Sequence, residues 1–425
     1  MSYYDLLQNI DEEIIKCMKC GNCQAVCPIY KEIQGESGVA RGKIQMAKAL
    51  LEGKLEYNDK LAELFGLCLT CKACADNCPC GVRPDKIILA VRAALAREKG
   101  LHPLKRRIFS VLAKPKVFRF GMNAGSIFQG LGLKRVKGKN LAQPRLPIGL
   151  DMRRVIRPLA PQSLISELPR INKPQNPQFK VAFFTGCMLN YLYTDAGKAV
   201  VDVLNKNGVE VVIPEAQHCC GIPTFVHGDM ATTRKIAKYN IDVFMKEDFD
   251  AIITHCGTCI GAWAEHYPEF LADDPEYAEK ANKLANKAYD FSQFLIEKVG
   301  LKRPEVSLDV KVTYHDPCHL VRGVGVAPQP REILKAMPGV ELAEMKKPDR
   351  CCGSAGSFSL THYEMSSKIR DKKTEDILSV NPDAVITSCG ACRMQLEDGL
   401  YQAGADIPVK HLAMLLQEAY QKEGK

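Results

Sequence analysis

No stretch of the 425 residues approaches the eighteen or more consecutive apolar residues of a membrane-spanning helix. Any contact with a bilayer is therefore expected to be peripheral or through a partner. The opening MSYYDLLQNIDEEIIK has no basic end, no apolar run and no small-residue cleavage site, so no secretory leader is expected and the chain reads as cytosolic. Nothing resembles a Ser-His-Asp set, and GSAGS (353–357) does not sit in a G-x-G-x-x-G frame. A nucleotide or flavin site is not expected here, nor the two-electron step on an organic acid that such a cofactor supports. Acid is nearly missing from residues 101–166, where fourteen Lys and Arg between Lys105 and Arg157 face Asp151 alone. That segment carries more than the whole +9 of the chain. Only Phe109, Phe118, Phe120 and Phe128 lie among its charges, too few stacking groups for nucleic acid. A docking surface for a partner, or an amphipathic element on anionic lipid, fits it better.

Cysteine, by contrast, is plentiful, with nineteen residues arranged in clusters. In a cytosolic chain thiols stay reduced, and clustered cysteines are expected to be ligands. CMKCGNCQAVCP (17–28) and CLTCKACADNCP (68–79) both follow C-x2-C-x2-C-x3-C-P, the spacing of two-cluster ferredoxins. Three cysteines of each run wrap one cubane while the fourth, held by the proline, points to the other. Cys17, Cys20, Cys23 and Cys78 are thus expected to hold one 4Fe-4S cluster, and Cys68, Cys71, Cys74 and Cys27 the second. Zinc sites favour separated C-x2-C pairs and fit this pattern poorly. Helices are expected over GVARGKIQMAKALLEGK (38–54) and RPDKIILAVRAALAREKG (83–100), the latter stopped by Gly100. After them HPLKRRIFSVLAKPKVFRFG (102–121) predicts short amphipathic helices broken at Pro115, and INKPQNPQFK (171–180) predicts a linker.

The remainder is a duplication. VAFFTGC (181–187) answers KVTYHDPC (311–318), HCCGIP (218–223) answers RCCGSA (350–355), and DAIITHCGTC (250–259) answers DAVITSCGAC (383–392). Corresponding cysteines are offset by 131 to 133 residues. Each half alternates short apolar strands with helical segments, which predicts a parallel sheet with crossover helices. The key cysteines fall at or after the carboxyl ends of strands, where open α/β sheets bind ligands. Cys187, Cys219, Cys220, Cys256 and Cys259 form one set, and Cys318, Cys351, Cys352, Cys389 and Cys392 the other. Five thiols exceed the need of one cubane. They could hold a cluster with an extra thiolate, or a cluster beside a reactive thiol; buried structural cysteines are the plain alternative.

The double ferredoxin run followed by two CCG repeats resembles a family that includes the glycolate oxidase iron–sulfur subunit, a subunit of anaerobic glycerol-3-phosphate dehydrogenase, lactate-oxidation iron–sulfur proteins and heterodisulfide reductase subunits. CCGSAGSFSLTHYEMSSKIRDKK (351–373) and HPLKRRIFSVLAKPKVFRF (102–120) are similar to segments of the glycolate oxidase subunits. The resemblance implies a multidomain chain: a helical ferredoxin-like domain (1–100), a basic helical connector and linker (101–180), and two α/β CCG domains (181–305 and 306–425). It implies an electron carrier that receives electrons from an FAD-containing 2-hydroxy acid dehydrogenase subunit, for glycolate or lactate, and passes them to a quinone or another acceptor. The expected place is the cytoplasm, with peripheral contact at the inner face of the cytoplasmic membrane as a second expectation. Both CCG sets are complete, which leans toward the heterodisulfide reductase type, where CCG cysteines hold clusters that cleave disulfides. Electron transfer for glycerol-3-phosphate oxidation is the third reading. Cys80 departs from the pattern and is read as a spare thiol. His218, His255, His315 and His319 stand beside CCG cysteines, where a ring N–H can tune a cluster or simply satisfy a turn.

Overall fold

The computed structural model describes residues 10–147 and 149–423; most of the opening stretch read for a leader lies outside the described residues. The chain divides into two compact units, each drawn from several segments. One comprises residues 1–113, 221–235 and 353–369, and the other 114–220, 236–352 and 370–425. The residues that follow each CC pair therefore leave the unit that holds the pair.

The first unit is helical. α1 (Ala40–Leu51), α2 (Asp59–Gly66), α3 (Pro84–Glu98) and α4 (Pro103–Leu112) are its longer elements. Asn58 caps α2, its side-chain oxygen accepting from Leu61 N at 2.9 Å. Pro84 opens α3 in the first turn, where a missing N–H costs nothing, and Gly100 follows its end with φ +73°. Ile44 and Ala47 of α1, Leu61 and Phe65 of α2, and Ile87 and Val91 of α3 form the core, as helical spacing requires. Segment 221–235 is held on α3 through Gly228. Its φ is +83°, and a Cβ there would lie 2.4 Å from Arg92 O and 2.7 Å from Ala93 Cα. Alanine at 228 meets both backbone strain and a rigid wall, so Gly228→Ala is expected to cost about 3 kcal/mol or more, read as a fall in the thermal midpoint of this unit.

The second unit begins with α5 (Pro115–Gly132). The break expected at Pro115 is there, but the helix that follows runs for 18 residues. Proline suits a first turn, and the interior glycines 121, 125 and 130 weaken the helix without ending it. β1 (Leu133–Arg135) and β2 (Ala142–Pro144) pair antiparallel. The expected linker contributes β3 (Ile171–Asn172), an edge strand paired antiparallel with Val211 and Val212.

Then come β4 (Phe179–Phe184), α6 (Gly186–Tyr191), α7 (Thr194–Lys206), β5 (Val209–Val212), β6 (Ala251–Thr254), α8 (Gly257–Gly261) and β7 (Ala288–Asp290). The second half supplies β8 (Val310–His315), α9 (Cys318–Val324), β9 (Val340–Leu342), β10 (Ala384–Thr387), α10 (Gly390–Gln402), β11 (Val409–His411) and α11 (Leu412–Glu423). The first sheet runs β3-β5-β4-β6-β7 and the second β9-β8-β10-β11. Apart from β3, both sheets are parallel and have the same order, so the duplication read from the sequence is a duplication of topology.

The two halves share one core. Phe183 and Ile253 of the first sheet, Tyr314 and Ile386 of the second, and the inner faces of α7 and α11 belong to a single apolar cluster. The halves also interlock reciprocally at two glycines. A Cβ at Gly257, which opens α8, would lie 2.7 Å from Leu320 N in α9. One at Gly390, which opens α10, would lie 2.8 Å from the Met188 Cβ in α6.

Candidate metal centres

In the helical unit the two cysteine runs fold alike. Lys19 and Gly21 in the first loop take φ of 59° and 89°, and the matched Thr70 and Lys72 in the second take 52° and 60°. Cys17, Cys20, Cys23 and Cys78 border one cavity, together with Cys80. Cys27, Cys68 and Cys71 border another, and Cys74 lines both. The last cysteine of each run thus sits among the first three of the other. Cys80, read as spare, is a further thiol in the wall of the first cavity. Burial pushes the Cys27 thiol up to about 11 and the Cys74 thiol well above the usual range, with neighbouring thiols adding to both shifts. Lys43 is fully buried beside the second group, its ammonium donating to Gly38 O at 2.6 Å. Burial lowers its pKa while Cys68, Cys27 and Cys74 oppose that. No motif announced this lysine; only its place in the otherwise apolar-inward turn of α1 hinted at it.

In the second unit the parallel sheets bring the other ten thiols to the carboxyl edge of their strands. Cys187 follows β4 and Cys256 follows β6, parallel neighbours at which the strand order reverses; Cys318 and Cys389 follow β8 and β10 in the same way. Cys256 and Cys389 are the extended residues that open α8 and α10, at helix starts that favour a thiolate. The two sets touch, with Cys256 Sγ and Cys389 Sγ 3.8 Å apart. Hydrogen bonds from Cys259 and Cys389 hold the Cys256 thiol well below its usual pKa. Cys259, bonded to Cys220 and Cys256, is pushed up, as is Cys392, bonded to Cys352 and Cys389. Cys187 is pushed up by its bond to Cys219 and by burial. Thiols this close repel when ionised and need a cation among them, which a soft iron–sulfur group supplies. All nineteen cysteines are free, so no disulfide competes for these donors.

The histidines separate. His315, next to Cys318 in sequence, instead places a ring nitrogen among Cys352 Sγ and Cys392 Sγ, all within 4.8 Å of one another. Neither of its ring nitrogens has a hydrogen-bond partner among the described residues, and burial keeps it neutral. The matched position of the first half is Phe184. His255 points its Nε2 at Thr185 O, 2.9 Å away, and so serves the backbone. His218 stacks edge-on against Phe118 and Tyr239. His319 Nδ1 lies 3.5 Å from Thr258 Oγ1, across the contact between α8 and α9.

A family model described as a 4Fe-4S dicluster domain matches residues 13–82, and one described as a CCG cysteine-rich domain matches 181–262 and 312–397. The "Probable glycolate oxidase iron-sulfur subunit" of Bacillus subtilis (strain 168) is 34% identical over 430 residues, covering 97% of this chain and 95% of its own. The chain belongs to the glycolate oxidase iron–sulfur subunit family. Within that family's wider circle, a fumarate reductase (CoM/CoB) component of Methanothermobacter marburgensis is 30% identical, covering 95% of this chain and 72% of its own. "Lactate utilization protein A" of Geobacillus sp. (strain WCH70) is 35% identical over 56% of this chain and 98% of its own. A crystal structure described as a hypothetical protein from Helicobacter pylori has the same fold, at a TM-score of 0.53 and 10% identity over 99% of this chain and 77% of that one. This subunit joins a dicluster domain to a CCG pair.

Proposed function

We propose that the chain is the electron-transfer subunit of a flavin-dependent 2-hydroxy acid dehydrogenase, with glycolate or lactate as the substrate oxidised on an FAD-containing partner. The observation that carries this reading is the joint presence of a dicluster domain and two complete CCG thiol sets in one chain similar to a glycolate oxidase iron–sulfur subunit. In this reading residues 1–100 hold two 4Fe-4S clusters, one on Cys17, Cys20, Cys23 and Cys78 and one on Cys68, Cys71, Cys74 and Cys27. Residues 101–180 connect, and the domains 181–305 and 306–425 hold further iron–sulfur groups on their five-thiol sets. Such groups supply one-electron steps. The chain itself keeps them apart from water, holds them at strand ends and sets their hydrogen bonds. The protein works in the cytoplasm, and a quinone or another acceptor takes the electrons.

A docking surface for the flavoprotein is at hand in the second unit. α5 buries none of its residues, and Phe120, Ile127, Phe128 and Leu131 are each more than 60% exposed along it. No helix among the described residues is long and apolar enough to cross a membrane, so this stripe calls for a partner or a surface.

The test is to purify the chain anaerobically from its native host with whatever binds it, add glycolate or lactate, and follow the visible absorbance of the clusters. Bleaching with a bound flavoprotein is the expected result. Absence of bleaching with both acids, together with reoxidation of reduced clusters by a disulfide, overturns it. The direct contact of Cys256 with Cys389 favours that second reading, in which the CCG thiol sets reduce a disulfide themselves.

A further inference from the structure

The first unit contains a cavity of about 460 Å³, within the range of small-molecule sites, that opens beside the second thiol group, with Cys68 in its wall. Leu69 and Thr70, from the loop between Cys68 and Cys71, form its floor, and Arg92 and Leu95 of α3 form one side. Lys105 at the start of α4 closes another, and His227 and His362 come from the segments that follow the two CC pairs. Asp59 is the only acid in the wall, and it is already paired with Lys99.

The cations have different duties. Arg92 is spent on structure, donating to the carbonyls of Phe65, Gly66, Cys68 and Val226. Lys105 has no hydrogen-bond or ion-pair partner among the described residues, although it is half-buried and repelled by Arg92. His227 holds Ser357 Oγ at 2.5 Å and His362 holds Thr361 Oγ1 at 2.9 Å. Burial, with Lys105 and Arg92 nearby, keeps both rings neutral. A free ammonium and two neutral imidazoles thus border the space beside His102, the paired Lys99 and the hydroxyls of Thr70, Ser357 and Thr361, while Leu95, Leu101, Val226 and Phe358 form its apolar wall. A ligand suited to it enters uncharged, is flat and apolar, and carries oxygens that accept hydrogen bonds and gain negative charge.

The rim indicates where such a ligand comes from. On α4 Leu104, Ile108 and Val111 are 61%, 54% and 42% exposed, at i, i+4 and i+7, one stripe beside Lys105, Arg106 and Arg107 with no acid in the helix. A basic amphipathic helix of this kind lies on an anionic lipid surface.

We propose that this cavity binds the headgroup of a lipid-soluble quinone, with Lys105 giving the hydrogen bond to one carbonyl oxygen. The inference rests on the electron-carrier reading and adds to it the site of the acceptor. The ring lies against the loop that carries Cys68. On reduction to the quinol the ligand takes two electrons from the iron–sulfur chain and two protons from water, on the oxygens that Lys105 and the imidazoles face.

The test uses the full chain, loaded with its clusters and kept anaerobic, in equilibrium dialysis with 2,3-dimethyl-1,4-naphthoquinone, whose substituted ring resists thiol addition. One equivalent is expected to bind. Lys105→Gln is expected to weaken binding about tenfold, the worth of one charge-assisted hydrogen bond, and Ala96→Phe, which fills the cavity from α3, to abolish it. Unchanged visible absorbance in both variants shows that they are folded and loaded. Absence of binding, indifference to both substitutions, or equal competition by glycolate or lactate overturns the proposal. Quinone binding that depends on Lys105 while neither acid bleaches the clusters leaves the site standing and the substrate assignment fallen. Bleaching by the acids without quinone binding does the reverse.

Discussion

Alanine in place of Cys256 is expected to remove a whole iron–sulfur group from the first CCG half and to alter the spectrum of the second, whereas Cys187→Ala is expected to affect the first half alone. Both residues follow central strands of the same sheet, but only Cys256 reaches Cys389 of the other half, at 3.8 Å. Cys256 is also the thiol whose pKa the hydrogen bonds from Cys259 and Cys389 lower, so its loss removes the shared acceptor of two hydrogen bonds at once. An unpartnered buried donor costs about 1–3 kcal/mol, and here one is left on each side of the pair. Iron and sulfide analysis of the two variants, with electron paramagnetic resonance of the reduced proteins, checks the contrast. Identical second-half spectra in both would show that the two sets are independent despite their contact.

Removal of iron by a chelator is expected to unfold the loops and short helices of residues 17–80 while the parallel sheets stay intact. In the helical unit Lys19, Thr70 and Lys72 are non-glycine residues held at positive φ, a conformation costing about 1–2 kcal/mol each. Nothing regular in those loops offsets that cost, and thiolate ligation is the natural source of the stabilisation. The core there is small and borrows Cys17, Cys68 and Cys78 as packing partners. The second unit instead buries a single large apolar cluster beneath both sheets, which does not depend on metal. Hydrogen exchange before and after chelation distinguishes the two: protection lost over 17–80 and retained in β4, β6, β8 and β10 is the expected pattern. Loss of protection across the sheets as well would make metal part of the fold of the whole chain.

These expectations differ in how far the sequence carried them. The pairing of the two runs, each last cysteine standing with the other run's first three, was readable because the spacing is local geometry written twice. The repeat of strands and thiols was readable because a constant offset survives any tertiary arrangement. Other features depend on where distant segments meet. Ile171 and Asn172 sit in a Pro- and Asn-rich stretch that reads as a linker, yet β5 offers an unpaired edge and they take it. His315 looks like a neighbour of Cys318, but the strand end turns it toward Cys352 and Cys392, which lie more than thirty residues away in sequence. Gly257 and Gly390 look like two more small residues in a cysteine motif. Only the packing of α8 on α9 and of α10 beside α6 shows why a side chain has no room there. The division into units was beyond any linear reading, since residues 221–235 and 353–369 are taken from the middle of the CCG repeats.

The reciprocal packing at those glycines also bears on descent. Two copies that once were equal now each supply the floor on which the other's C-x2-C helix rests, so neither can drift in shape without its twin. Their ligands are less constrained away from the contact of Cys256 with Cys389. Phe184 standing where the second copy has His315 is one trace of that freedom. Lineages of this architecture can therefore trade away cysteines singly, retuning or emptying one centre, long before they could lose a half.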